Sequence, residues 1–298
     1  MVKPIDIMIA GTQKAGTTSL LKYLCQHPHF KTHPQTEMVY FVNEDAYASG
    51  YSVAYNKYFR DYTDENSILL AKHVYAMYSR DAIVRIRQHN SNMYLIVVLR
   101  NPIDRAYSAY WYARRRGWEN IKTFENALDA ESDRIKKKGW YFWRHCAYVY
   151  NGMYYHHLEW ILENFRKEQV LIITSRELAS DAKKICNLIF ERMRQDTSFV
   201  PETVVRHNTS GIPRSESFAQ IFSKVLTSSH PLKKLARSLI PDSLSYKIRH
   251  KILKLNDKSF VPPEMNSETR QKLVKLFKPH NEKLEKLLSR DLSHWDSI

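Results

Sequence analysis

Eight residues near the start, Gly11-Thr12-Gln13-Lys14-Ala15-Gly16-Thr17-Thr18, carry the clearest chemistry in the sequence. Glycines at this spacing let a chain curl so that successive backbone N–H groups face one anion, and a helix opening at the second glycine adds the positive end of its dipole. The loop is therefore expected to hold a phosphate. A Walker loop would place lysine directly after the second glycine, within reach of the β- and γ-phosphates of a nucleoside triphosphate. Here Thr17 and Thr18 follow Gly16, and the lysine stands earlier, at Lys14. Amides and two hydroxyls would then grip a terminal phosphate while the ammonium faces a bridging oxygen, which suits neutralisation of a phosphate leaving group.

A second set is Leu99-Arg100-Asn101-Pro102-Ile103-Asp104-Arg105-Ala106-Tyr107-Ser108. Arg100 leaves the end of an apolar run, YLIVVL at 94–99, and Ser108 projects from the first turns of the helix that follows. A guanidinium fork with a hydroxyl suits a second phosphate. Alone, the pair would read equally as an arginine closing a strand and a solvated serine; its partnership with the glycine loop favours a ligand.

The elements that must position these residues alternate. Strands are expected at Pro4–Ala10, Ser67–Val74, 94–99 and 170–174, and helices at Ser19–Gln26, Arg80–His89, Ile103–Arg115, Tyr154–Phe165 and Leu178–Met193. Alternation requires crossover connections, hence an α/β fold with a mostly parallel sheet and ligands at the strand C-termini. The aromatic-rich stretch 117–150 reads as a long connection, whose segment WYFWRHCAYVY at 140–150 either covers core or walls an acceptor pocket. The tail from Glu268 to Leu288 reads as a helix pair broken at Pro279.

The 298 residues suffice for one domain spanning 1–298, with a basic excursion at about 224–258 that holds nine Lys/Arg and two Asp. That excursion reads as a solvated helical segment, with a lid or a peripheral membrane contact as the sharper alternatives. The formal charge of +15 favours a polyanionic ligand. Cys25, Cys146 and Cys186 are far apart and form no metal-ligand spacing, so buried thiols in a reducing compartment are expected, with no metal. No apolar run approaches a membrane span and no secretory h-region follows Met1, which points to a soluble cytoplasmic chain.

GTQKAGTTSL at 11–20 and LRNPIDRAYSAY at 99–110, in this order, resemble the 5′-phosphosulfate loop and the 3′-phosphate motif of the sulfotransferase superfamily. The likeness continues through GMYYHHLEWILENF, QVLIITSREL, HNTSGIPRS and FKPHNEKLEKLLSRDLSHW, the last two resembling bacterial members. It implies a doubly wound, mostly parallel α/β fold with a P-loop-like loop and helices on both faces. The implied activity is transfer of a sulfonate from 3′-phosphoadenosine 5′-phosphosulfate (PAPS) to a hydroxyl or amine, releasing 3′-phosphoadenosine 5′-phosphate (PAP). Thr12, Gln13, Lys14, Ala15, Gly16, Thr17, Thr18, Arg100 and Ser108 would hold the donor, with Arg214 in the loop 207–215 as a further candidate.

In-line attack on sulfur needs a base for the acceptor proton. Glu37, in QTEMVYF, falls where heparan-type and many bacterial members carry K-E-x-x-[FY]-F, with Thr36 in place of the lysine. His73, in AKHVYAMY, lies near the histidine of cytosolic members, while Lys72 fits the lysine of a heparan-type E-K-[ST]-P-x-Y segment in which Ala71 and Val74 are departures. Glu37 is the favoured base, His73 the alternative. The acceptor is expected to be a small molecule or glycan, with specialised metabolites such as guanidinium toxins of the saxitoxin type slightly favoured. The competing readings are a P-loop kinase, which would want the missing Walker lysine and a metal-carboxylate motif, and a nucleic-acid-binding protein, for which no recognition motif is present.

Overall fold

The computed structural model describes residues 2–35, 37–62, 64–138, 140–203, 211–213, 215 and 257–297. In chain order its elements are β1 (Ile7–Gly11), α1 (Thr17–Leu24), β2 (Phe30–Thr32), α2 (Glu44–Ala48), α3 (Tyr51–Tyr58), β3 (Ile68–Lys72), α4 (Arg80–His89), β4 (Tyr94–Leu99) and α5 (Pro102–Arg115). There follow α6 (Phe124–Asp129), α7 (Glu131–Lys138), α8 (Trp140–Cys146), α9 (Tyr154–Asn164), β5 (Val170–Thr174), α10 (Ser175–Ser180), α11 (Ala182–Arg192), β6 (Gly211–Pro213), β7 (Asp257–Ser259) and α12 (Ser267–Leu288). The chain divides into two compact units, one of Met1–Asn101 with Tyr154–Asn208 and the other of Pro102–Met153 with Thr209–Ile298.

The first unit is built on a sheet of order β2-β3-β1-β4-β5, parallel throughout. Parallel strands are buried on both faces and so read as continuous apolar runs, as β4 and β5 do. Ile7, Ile9, Ile96, Val98 and Ile173 face a core completed by Leu20, Leu24, Leu178, Ile189 and Phe190 from α1, α10 and α11. The alternate pleat, with Met8, Ala10, Leu95, Val97 and Leu99, is buried as well, so both faces are covered. The α/β reading therefore holds, and β4, β5 and α4 fall on their expected ranges.

Two expectations here need correction. The edge strand β2 went unread because three residues carry no periodicity, and the helix expected over 178–193 is two helices. The Thr174 hydroxyl and Glu177 form a capping box that starts α10, and Asp181 accepts from the Lys184 amide at 2.9 Å to start α11 afresh.

In the second unit, Ile103, Ala106, Tyr110, Phe124, Tyr148, Leu273 and Phe277 form the core. The stretch expected as a long connection contains α6, α7 and α8. The tail is one helix of 22 residues that runs through Pro279, not a broken pair. Leu273 and Phe277 before the proline and Leu284 after it are all buried, so one apolar stripe outlasts the lost backbone bond. β6 and β7 pair antiparallel, which makes strand of the described end of the basic segment; the rest of 224–258 lies outside the described residues.

Candidate functional site

The strand C-termini of the first unit converge on the glycine loop. β1 ends at Gly11, where a Cβ would collide with the Met77 side chain, so any larger residue there would force Met77 to move. Thr12 then ties back to β4 twice, its amide donating to the Val98 carbonyl at 3.0 Å and its hydroxyl to the same oxygen at 2.8 Å. Gln13 is buried and its amide nitrogen donates to the Tyr75 hydroxyl at 2.5 Å. Gly16 turns the chain into α1 with φ 97°, a conformation that favours glycine. No side chain caps this helix at Gly16 and its first turn carries no acid, so no carboxylate of the helix itself offsets its positive end. Thr17 and half-buried Thr18 open the helix at the same place.

Arg100 follows β4, and its Nη1 donates to the Lys14 carbonyl at 3.1 Å, binding the second motif to the first. The Tyr154 hydroxyl donates to the Arg100 carbonyl at 2.8 Å, fixing the backbone from which that side chain departs. Ser108 lies half-buried on α5, in the second unit. Arg214 and residues 207–210 of its loop lie outside the described residues.

One strand further out, the base candidates meet. β3 pairs with β1 so that Lys72 lies opposite Ile9, and the His73 amide continues the ladder to the Ile9 carbonyl at 3.0 Å. The segment after β2 folds back along β3, the Met38 amide donating to the Lys72 carbonyl at 2.8 Å. This brings the Glu37 carboxylate onto the Lys72 ammonium through Oε1, while Oε2 accepts from the Val74 amide at 2.9 Å. Lys72 is 1% exposed and Glu37 is 18% exposed, so the pair is buried on its cationic side and open on its anionic side. His73 is fully buried.

Lys14, Gly16, Arg100, Glu37, Lys72 and His73 thus share one edge of one sheet. Their expected neighbours Thr12, Gln13 and Ala15 lie buried in the loop. The sequence reading missed His33, whose ring lies between β2 and Lys72, and Tyr75, the Gln13 partner, although Tyr75 stands only two residues beyond His73. Among the described residues no group of three or more His, Cys, Asp or Glu is placed to hold a metal ion. The three cysteines are free, and burial pushes each thiol up to about 12.

The sulfotransferase domain family matches residues 4–191. The chain is similar to human heparan sulfate glucosamine 3-O-sulfotransferase 3B1, 24% identical over 290 residues, which cover 97% of the chain and 64% of that protein. It is similar also to the membrane-associated sulfotransferase kil1 of Dictyostelium discoideum, 31% identical over 138 residues, 44% of the chain and 29% of that protein. A bifunctional heparan sulfate N-deacetylase/N-sulfotransferase 1 of Caenorhabditis briggsae is 24% identical over 60% of the chain but only 21% of its own length, so the chain spans a minor part of several relatives. In fold it is similar to a crystallised sulfotransferase from Alicyclobacillus acidocaldarius, with TM-score 0.70 at 22% identity over 99% of the chain and 100% of that protein. No helix among the described residues is long and apolar enough to cross a membrane.

Proposed function

This chain belongs to the sulfotransferase domain family, and from that premise we propose that it transfers a sulfonate from PAPS to a carbohydrate hydroxyl or amine. The observation that carries this reading is the juxtaposition, on one sheet edge, of a phosphate-type loop at the start of α1 and the half-open Glu37–Lys72 pair. Family membership decides against the kinase and nucleic-acid readings.

In this reading the loop amides, Thr17 and Thr18 hold the 5′-phosphate, and Lys14 faces the oxygen that bridges phosphorus and sulfur. Arg100 takes the 3′-phosphate. Attack of the acceptor oxygen or nitrogen forms its bond to sulfur as the bridging S–O bond breaks. The electron pair of that bond leaves with PAP, and the acceptor proton passes to Glu37. Glu37 is preferred over His73 because its carboxylate keeps contact with solvent, where an acceptor can arrive, whereas the His73 ring is closed off. Lys72 orients the carboxylate.

The relatives named for glucosamine 3-O-sulfation and N-sulfation support a glycan acceptor over the specialised metabolites expected from the sequence. A reducing, cytoplasmic setting is supported by three separated free thiols. The test is sulfonate transfer from labelled PAPS to desulfated heparan chains and to a panel of simple alcohols. Transfer to the polysaccharide that is lost in Lys14→Ala is expected; transfer to simple alcohols alone would contradict the glycan reading.

A further inference from the structure

β2 ends at Thr32, paired with Leu70, so the next amide of β3 that looks toward β2, that of Lys72, has no strand residue beside it. The His33 ring takes the place of that missing residue. Its Nε2 accepts from the Lys72 amide at 3.3 Å, and its Nδ1 lies 2.8 Å from the Gln35 carbonyl. A carbonyl only accepts, so Nδ1 carries the proton and Nε2 is the bare acceptor. The ring is therefore neutral and locked in one tautomer, with one nitrogen on the β3 backbone and the other on the Gln35 carbonyl. Tyr58 and Phe59 pack edge-on against it, with ring centroids 5.4 and 6.1 Å away, and hold its plane. Burial, reinforced by the Lys72 ammonium, pushes the His33 pKa down to about 4 despite the Gln35 contact, which agrees with a neutral ring.

The same short segment is pinned again at Met38. The Met38 amide donates to the Lys72 carbonyl, so Glu37 hangs between two attachments to one residue of β3, His33 to its amide and Met38 to its carbonyl. Both attachments end on the residue whose ammonium Glu37 contacts.

We propose that His33 is a positioning residue for transfer: its neutral ring ties the Gln35 carbonyl, two residues before Glu37, to the Lys72 backbone and so sets the Glu37 carboxylate against the Lys72 ammonium. The proposal rests on the reading of Glu37 as base. His33 touches neither donor nor acceptor and acts through Glu37. A carboxylate displaced by about 1 Å loses on the order of 100-fold in rate, so removal of the ring costs turnover and not donor affinity.

Two measurements test this, and they separate the staple from the base assignment. The first needs no activity: proton–nitrogen NMR of the Lys72 ammonium, shielded by Glu37 in the native protein. Its signal is expected to broaden into solvent exchange in His33→Ala and to persist in His33→Gln, whose carbonyl still accepts the Lys72 amide. An ammonium signal unchanged in His33→Ala would overturn the proposal, whatever the donor proves to be. The second is a double-mutant cycle in transfer from labelled PAPS to desulfated heparan. His33→Ala is expected to lower kcat between 10- and 100-fold with PAP affinity unchanged, and to have no further effect in Glu37→Gln. A full additional loss in the Glu37→Gln background would show that His33 acts elsewhere and would also overturn it. Native turnover in Glu37→Gln alone would instead remove the base assignment and leave the ammonium result to judge the staple.

Discussion

Each unit contains a carboxylate paired with a buried cation, and the two pairs are finished differently. In the second unit, Arg134 grips Glu119 through two bonds of 2.6 and 2.9 Å, and the Tyr148 hydroxyl and Ile121 amide each add one at 2.8 Å. The Glu119 side chain is fully buried. Burial opposes its ionisation, but these donors outweigh it and hold the carboxyl below the usual glutamate range. Nearby, Glu131 caps the turn 148–150 by accepting from three backbone amides, and fully buried Arg105 donates to the Tyr148 carbonyl. In the first unit, among the described residues, Glu37 meets one cation and one amide and keeps an open side. A saturated pair has no capacity left for a reacting proton and acts as structure; an unsaturated pair at a sheet edge keeps lone pairs for chemistry.

The contrast is broken most directly by the same change at both sites. Glu37→Gln is expected to lower kcat by roughly 10²- to 10⁴-fold, the range of a lost general base, with little change in unfolding midpoint. Glu119→Gln is expected to do the reverse, leaving the Arg134 charge buried and costing about 3–5 kcal/mol in urea unfolding while turnover per folded molecule stays near native. A variant at position 119 that lost turnover but not stability would undo the distinction.

A pH series sharpens it. The His33 pKa falls from 6.5 when unfolded to about 4 when folded, so between these values the unfolded chain binds the extra proton. His33 therefore contributes its full share of stability above pH 6.5 and loses it as the pH falls toward 4, by about 3 kcal/mol in all. His89, held near 4 by burial alone, adds a parallel loss. His33→Gln should flatten the wild-type slope between pH 7 and 5 by the His33 share only, read from unfolding at each pH. The smallest effect expected is at Arg100, where Arg100→Ala should weaken PAP by roughly 1.5–3 kcal/mol, the range of one hydrogen bond to a charged group, with 5′-AMP affinity nearly unchanged.

The two units were also unequally legible. The glycine loop is contiguous, so its spacing announces both its conformation and its ligand class, and the apolar runs of β4 and β5 locate the strands that support it. The Glu37–Lys72 pair spans 35 residues and exists only because β3 lies beside β1 and the chain after β2 folds back on β3. Sequence patterns can nominate both residues but cannot pair them. His33 is less visible still, since a ring that substitutes for a strand residue has no periodic signature. In the second unit the Glu119–Arg134 and Glu131 contacts come from α7 and the loops around it, inside a stretch that reads as connection. The uninterrupted α12 shows the opposite failure: Pro279 argues locally for a break, and burial of Leu273, Phe277 and Leu284 overrides it.

The measurement that bears most directly on the whole account is calorimetric titration of the protein with PAP, beside ATP and 5′-AMP and with Arg100→Ala as control. The account predicts tight PAP binding that needs both the 3′-phosphate and Arg100. Binding of ATP as tight as that of PAP, or PAP binding indifferent to Arg100, would contradict it.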